Sequence, residues 1–294
     1  MRLTHGLATR KLCLAAALVA VSLATTTVGG RASGVDKMTV EEVVAKHLAS
    51  IGADETRQSI KNRIVVGAVT AVSRNPAPAR IQGRTVMASE GQKNMLAMVF
   101  DSTNYPKDNI AFDGSKVTVS FLKAGQRSFL GNFMLGHEVI VKQGLVGGVL
   151  TSGWPLLHGD LRGSKLQYIG TKKLDGRDVH QLSYLPRGGS DLEISIYFDA
   201  ESFRHVRTEY ERVASAQMGS RPELSAQQKE SRYKMVEEFS DFKKEGGLTL
   251  PHAYTIKIIV TNPNGNLENE WAFTFNNFMF NQRLDPGSFD VAAS

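Results

Sequence analysis

Phe129-Leu130-Gly131-Asn132-Phe133-Met134-Leu135 opens and Gly147-Gly148-Val149-Leu150-Thr151-Ser152-Gly153-Trp154-Pro155-Leu156-Leu157 closes an apolar stretch in a chain that otherwise reads almost entirely as β-strand. Leu130, Phe133, Met134, His137, Ile140 and Val141 recur at helical spacing. Gly131, Gly136, Gly144, Gly147, Gly148 and Gly153 would each weaken a continuous helix by roughly 0.8–1 kcal/mol relative to alanine. Short helical pieces therefore fit better than one rod. His137, Glu138, Lys142 and Gln143 interrupt the run well short of the ~18 apolar residues of a membrane span. Two readings of this insert follow. It is a lid that closes over a β-built cavity, which is our working reading, or a helix pair that plugs the core of a sheet.

On either side the period is two. Ile64–Ser73, Arg80–Ser89, Lys93–Asp101, Asn109–Asp113 and Lys116–Leu122 read as strands before the insert. Lys165–Lys173, Asp178–Leu185, Asp191–Asp199, Phe203–Val213, Arg232–Phe242, Thr249–Thr261 and Leu267–Phe280 follow it. Asp113-Gly114, Asp175-Gly176 and Asn264-Gly265 are tight-hairpin pairs that tolerate positive φ, so consecutive strands are antiparallel. Leu192, Ile194, Ile196 and Phe198 alternate with Asp191, Glu193, Ser195 and Asp199, the pattern of a strand wet on one face. Ile64–Val69 and Met95–Phe100 are apolar on both faces and need covering twice, by an N-terminal helix and by the insert. Asn276-Asn277 resets the alternation of Trp271, Phe273 and Phe275, as a bulge would. A strand as long as Phe203–Val213 extends about 36 Å at ~3.3 Å per residue, enough to shelter an acyl chain. The fold class expected is mainly β: a curved antiparallel sheet or incomplete barrel of about 11–12 strands.

Upstream, Thr39-Val40-Glu41-Glu42 has the form of a capping box, and Val40, Val43, Val44, His47, Leu48 and Ile51 share a helical face, predicting a helix over 38–52. Residues 1–32 read as a secretory signal peptide: Arg2, Arg10 and Lys11, then Leu12–Val21, then small residues to Ala32. An uncleaved anchor is the alternative. Cleavage would remove Cys13, the only cysteine, and leave residues 33–294 as a disulfide-free domain that depends on its core, with no transmembrane helix in the mature chain. Residues 1–32 hold four of the 35 Lys and Arg and none of the 29 Asp and Glu, so the formal charge of +6 falls to +2. No basic stripe argues for nucleic acid. Ala214–Lys229 reads as a polar hairpin tip.

Motifs that carry chemistry are wanting. His137-Glu138 starts like a zinc-protease helix, but Val141 stands where the second histidine is needed. There is no G-x-S-x-G elbow and no G-x-x-x-x-G-K-[ST] loop. Hence no catalytic residue, metal or cofactor is assigned. An inward His137 or His180 beside a carboxylate would favour an enzyme. The apolar inventory instead suggests a cavity lined by thioethers and rings. Phe129, Phe133, Met134, Ile140, Leu145, Leu150 and Trp154 are the candidate lid residues; Met95, Met98, Leu192, Ile194 and Ile196 are the candidate cavity wall.

Three segments of the second half resemble the LolA/LolB-like superfamily of outer-membrane lipoprotein-sorting proteins. These are Ile196-Tyr197-Phe198-Asp199-Ala200-Glu201-Ser202-Phe203, then Glu238-Phe239-Ser240-Asp241-Phe242 with Gly246-Gly247-Leu248-Thr249-Leu250-Pro251-His252, and the closing Asn281-Gln282-Arg283-Leu284-Asp285-Pro286-Gly287-Ser288-Phe289. Ala200 departs from the pattern, where a proline commonly occupies the turn. The resemblance covers Lys165–Phe289 and reaches the first half only through strand order and the signal peptide. It implies an incomplete antiparallel barrel with a helical lid over a cavity that takes acyl chains. The expected protein is a periplasmic or secreted carrier or sensor, not an enzyme, whose partner is a lipid or lipoprotein acyl chain and in addition an envelope protein. The alternatives are a structural or protein-interaction module of the envelope and a cofactor-free enzyme on the same scaffold.

Overall fold

The computed structural model describes residues 38–74, 78–157, 161–214, 230–262 and 265–291, all within one unit, Met38–Ser294. The expected signal peptide, most of the expected polar tip (215–229) and the hairpin residues 263–264 fall outside them.

Twelve strands form one antiparallel, curved sheet that does not close into a barrel. They are β1 (Asn62–Ser73), β2 (Ala79–Glu90), β3 (Lys93–Phe100), β4 (Lys107–Phe112), β5 (Val117–Val119), β6 (Lys165–Leu174), β7 (Arg177–Leu185), β8 (Glu193–Asp199), β9 (His205–Ala214), β10 (Ser231–Glu245), β11 (Leu248–Asn262) and β12 (Gly265–Phe280). Their spatial order is β5-β4-β3-β2-β1-β12-β11-β10-β9-β8-β7-β6. Two hairpin meanders thus meet where the first strand pairs with the last, and the insert connects one free edge of the sheet, β5, to the other, β6. The local chemistry explains the turns. Asp175 and Gly176 both take positive φ (50° and 82°), as a tight hairpin requires.

Among the described residues four α-helices accompany the sheet: α1 (Val40–Ile51), α2 (Asp54–Ser59), α3 (Phe129–Gly136) and α4 (Glu138–Lys142). The capping box forms as expected: the Thr39 hydroxyl accepts from the Glu42 N–H (3.2 Å) and the Glu42 carboxylate accepts from the Thr39 N–H (2.8 Å). α2 has no apolar periodicity and was not expected. After α4 the insert continues as two short 3-10 turns, Gly148–Leu150 and Pro155–Leu157.

The sheet has an inner face, on which α1 and the insert pack, and an outer face. On β12 the inner row runs Trp271, Phe273, Phe275, and Asn276 is the extra residue of a bulge opposite Val66/Gly67, so that Phe278 pairs with Val65 and the aromatic row continues inward. Gly67 is needed at that bulge, because a Cβ there would lie 2.1 Å from the Thr274 carbonyl oxygen.

Two expectations change. β9 begins at His205, since Phe203 adopts φ 55° in the preceding turn; ten residues extend about 33 Å. The strands expected to be covered on both faces are covered fully on one only. Asn94, Leu96, Met98 and Phe100 of β3 are buried, whereas outward Met95 is half-buried and Val99 is 52% exposed. Met95 therefore cannot line the inner face with Met98. The C-terminal turn Pro286–Phe289, and not α1, packs on the outside of β3.

Candidate functional site

The inner face and the insert share one apolar core. Leu130, Met134, Ile140, Leu145 and Trp154 are wholly buried, and Leu150 (1%) and Phe133 (7%) nearly so. They pack in a single cluster with Met98, Leu192, Ile194 and Ile196. The insert's buried side chains thus fill the inner face of the sheet where they pack on it. The glycines that interrupt its helices make this fit possible. Gly144, Gly147 and Gly148 take φ of 71°, 82° and 47°, and a Cβ on Gly148 would lie 2.7 Å from the His205 ring.

Buried polar contacts fasten the insert along its length. The Asn94 amide donates to the Val141 carbonyl (3.2 Å), and the Ser152 N–H donates to the Ser89 hydroxyl (2.8 Å). Arg63 donates to the Val149 carbonyl. The Gly147 N–H donates to the Glu237 carboxylate at 2.8 Å, which also accepts from the hydroxyls of Tyr210 (2.5 Å) and Tyr254. Burial raises the Glu237 carboxyl above its ordinary range, while these three donors pull it back. The Trp154 indole N–H donates to Nε2 of His47 at 3.2 Å, and His47 Nδ1 lies 3.0 Å from the Phe203 carbonyl. Both bonds are satisfied by one neutral tautomer, with the proton on Nδ1. Burial lowers the His47 pKa from 6.5 to about 4.

At the opposite end from Arg63, β1, β2 and β12 pass the start of α3, and Tyr105 and Phe129 pack beside the inner-face residues Ala71 and Trp271. A groove of about 380 Å³ opens there between Ala71, Ile81, Tyr105, Phe129 and Trp271. Its floor carries one polar chain: the Trp271 indole donates to the Tyr105 hydroxyl (2.9 Å), which donates to Asp108 (2.5 Å). Burial pushes the Asp108 carboxyl up to about 6, against hydrogen bonds from Ser128 and Tyr105.

Phe129 is thus the one candidate lid residue that reaches an opening. The other six lid candidates are core, as are Met98, Leu192, Ile194 and Ile196. The polar fasteners Arg63, Ser89, Asn94 and Glu237 escaped sequence reasoning. Their signal was an inward polar residue in an otherwise apolar strand face, as Glu237 stands between Met235 and Phe239. Among the described residues no group of three or more His, Cys, Asp or Glu is placed to hold a metal ion. His137 does approach a carboxylate, Asp191 at 3.4 Å, but Asp191 is over half exposed and gives its other oxygen to Arg212 at 2.7 Å. That is a surface ion pair. No helix of the described residues is long and apolar enough to cross a membrane.

No family model matches the chain, and no curated protein matches it. Among solved structures it is similar to a domain described as an outer membrane lipoprotein-sorting protein from Vibrio parahaemolyticus, at 12% identity and TM-score 0.43, over 84% of this chain and 94% of that one. It is also similar to a DUF1329 family protein from Desulfovibrio piger, at 11% identity and TM-score 0.41, over 86% and 97%. The MucA/MucB complex of Pseudomonas aeruginosa contains a chain matched at 8% identity and TM-score 0.21, over 82% and 100%.

Proposed function

We propose that the protein is an exported, non-enzymatic carrier or sensor of the cell envelope that takes up an acyl chain of a lipid or lipoprotein on the inner face of its sheet. The observation that carries this reading is the groove between Phe129 and Trp271. It is lined chiefly by apolar and aromatic side chains beside Ser73, Ser102, Asn104 and Asn269, it stands open, and its volume falls in the ~300–1,000 Å³ range of small-molecule sites. It also leads directly to the first turn of the insert. A chain entering there meets Phe129, and further entry exchanges the insert's apolar side chains for those of the ligand. The cost of such an exchange lies in the buried polar fasteners more than in lost apolar contact.

The two tryptophans provide the test, because Trp271 lines the groove and Trp154 is sealed in the core. Delipidated protein would be titrated with a brominated fatty acid, whose bromines quench indole emission on contact. Quenching of Trp271, measured in Trp154→Phe, is expected first; quenching of Trp154, measured in Trp271→Phe, would report displacement of the insert. Protein that quenches at neither indole and carries no acyl species by native mass spectrometry would defeat the reading.

The pinned, fully packed insert favours a second reading, a protein-interaction module that uses the groove as a docking edge. Phe129→Asp would then abolish complex formation and leave lipid uptake untouched. Trp154→Asp cannot serve here, since it would bury a carboxylate in the core.

A further inference from the structure

Arg63 stands at the first turn of β1 with its side chain on the inner face and 1% of its surface exposed. Its Nη1 donates to the Val149 carbonyl and, at 3.5 Å, weakly to that of Thr151, whereas its Nε has no hydrogen-bond partner. No carboxylate of the described residues pairs with it. Burial alone lowers its pKa, to about 10, which leaves it cationic at neutral pH. Buried charges are ordinarily paired, because an isolated one costs several kcal/mol of lost hydration.

This lone cation borders a recess of about 330 Å³ at the end of the inner face remote from the Phe129 groove. Arg57, Lys61, Asp54, Ser152 and Leu157 share its wall. The one carboxylate among its described lining residues, Asp54, is already engaged by Arg57 at 2.9 Å and by the Gln58 amide at 2.6 Å. Lys61 offers its ammonium only to the Gln58 carbonyl (2.7 Å). Among the described lining residues three cations stand against one occupied carboxylate, a formal surplus of two positive charges.

We propose that the recess is an anion site, in which a phosphate or carboxylate group completes the pairing of Arg63 and is closed in by Arg57 and Lys61. Guanidinium groups suit such oxyanions because their N–H donors form a planar fork. A free ion and the headgroup of an anionic lipid offer this oxyanion alike, and the same chemistry recognises both. The inference stands whether or not the groove binds acyl chains. If it does, the eight steps along β1 from Arg63 to Ala71 put about 26 Å between headgroup and groove.

The test is calorimetric titration of the full mature chain with inorganic phosphate, and separately with a short-chain phosphatidic acid below its micellar concentration, each against chloride at equal ionic strength. Binding of phosphate alone identifies a free-ion site; binding of the lipid but not of phosphate identifies a headgroup site. Either supports the proposal if Arg63→Met weakens it roughly tenfold to a hundredfold, the worth of one charge-assisted hydrogen bond. Should Arg63→Met not fold, the surface pair Arg57→Ala/Lys61→Ala carries the same expectation. Absence of binding by both probes, or affinity unchanged in these variants, overturns it.

Discussion

His47→Gln isolates the contact that ties α1 to the insert. In the native protein the buried imidazole is neutral: Nδ1–H faces the Phe203 carbonyl, and Nε2 accepts the Trp154 indole proton. A second proton on Nε2 would set donor against donor. Burial accordingly drops the pKa from 6.5 to about 4. Between those values the unfolded chain holds the proton and the folded chain does not. Stability from this group is therefore complete above pH 6.5 and is lost as the pH falls through about 4. At about 1.36 kcal/mol per pH unit, the loss amounts to about 3 kcal/mol. His205, 6.3 Å away and also lowered by burial, acts in the same direction, so only a comparison of variants separates the two. Glutamine cannot titrate but retains a carbonyl acceptor for Trp154. Urea unfolding followed by tryptophan emission and far-UV dichroism, at about pH 7 and about pH 4, would give the stability of both proteins. His47→Gln should gain about 3 kcal/mol on the wild type as the pH is lowered. Parallel stability curves would refute the buried neutral histidine as the lock on Trp154.

Asp108→Asn should show the opposite slope. The Asp108 carboxyl is raised from 3.8 to about 6 by burial, so its contribution is present below pH 3.8 and lost as the pH rises through 6. The variant should gain about 2 kcal/mol on the wild type between pH 4 and pH 7 in the same urea assay. Gly67→Ala should lower stability by about 1–3 kcal/mol or more, because its Cβ would press on backbone, the Thr274 carbonyl at 2.1 Å, which has no free side to move to. Thermal unfolding against Gly136→Ala, whose Cβ meets nothing within 4 Å and whose φ is not positive, separates this clash from the general effect of replacing glycine.

What could be read in the sequence divides along local and non-local lines. Alternation and turn pairs locate the strands to within a few residues, and the Asn276-Asn277 interruption correctly signals the bulge that keeps Phe278 inward. Thr39 and Glu42 mark α1 by a contact three residues apart. The joining of β1 to β12 has no such mark, since Arg63 and Phe280 lie more than 200 residues apart and neither carries a sign of the other. The insert shows the same limit. Its short helices follow from its glycines and apolar spacing, but a lid and a plug present the same apolar face. What distinguishes them is the set of polar groups opposite: Glu237, Arg63 and Asn94 look like surface residues until register turns them inward. Parity also decides Met95, which is as apolar as Met98 but three positions away and hence on the other side of the strand.

The pairing of the first strand with the last sets a schedule for biosynthesis. β2 to β5 can fold back on β1 as soon as they emerge, but the other edge of β1 must wait until nearly all of the chain has been made. Throughout that interval Ile64–Val69 offers a bare row of amides and carbonyls to any extended segment nearby. A chain built in this way gains from being kept unfolded until it is whole, and from a chaperone that masks that edge.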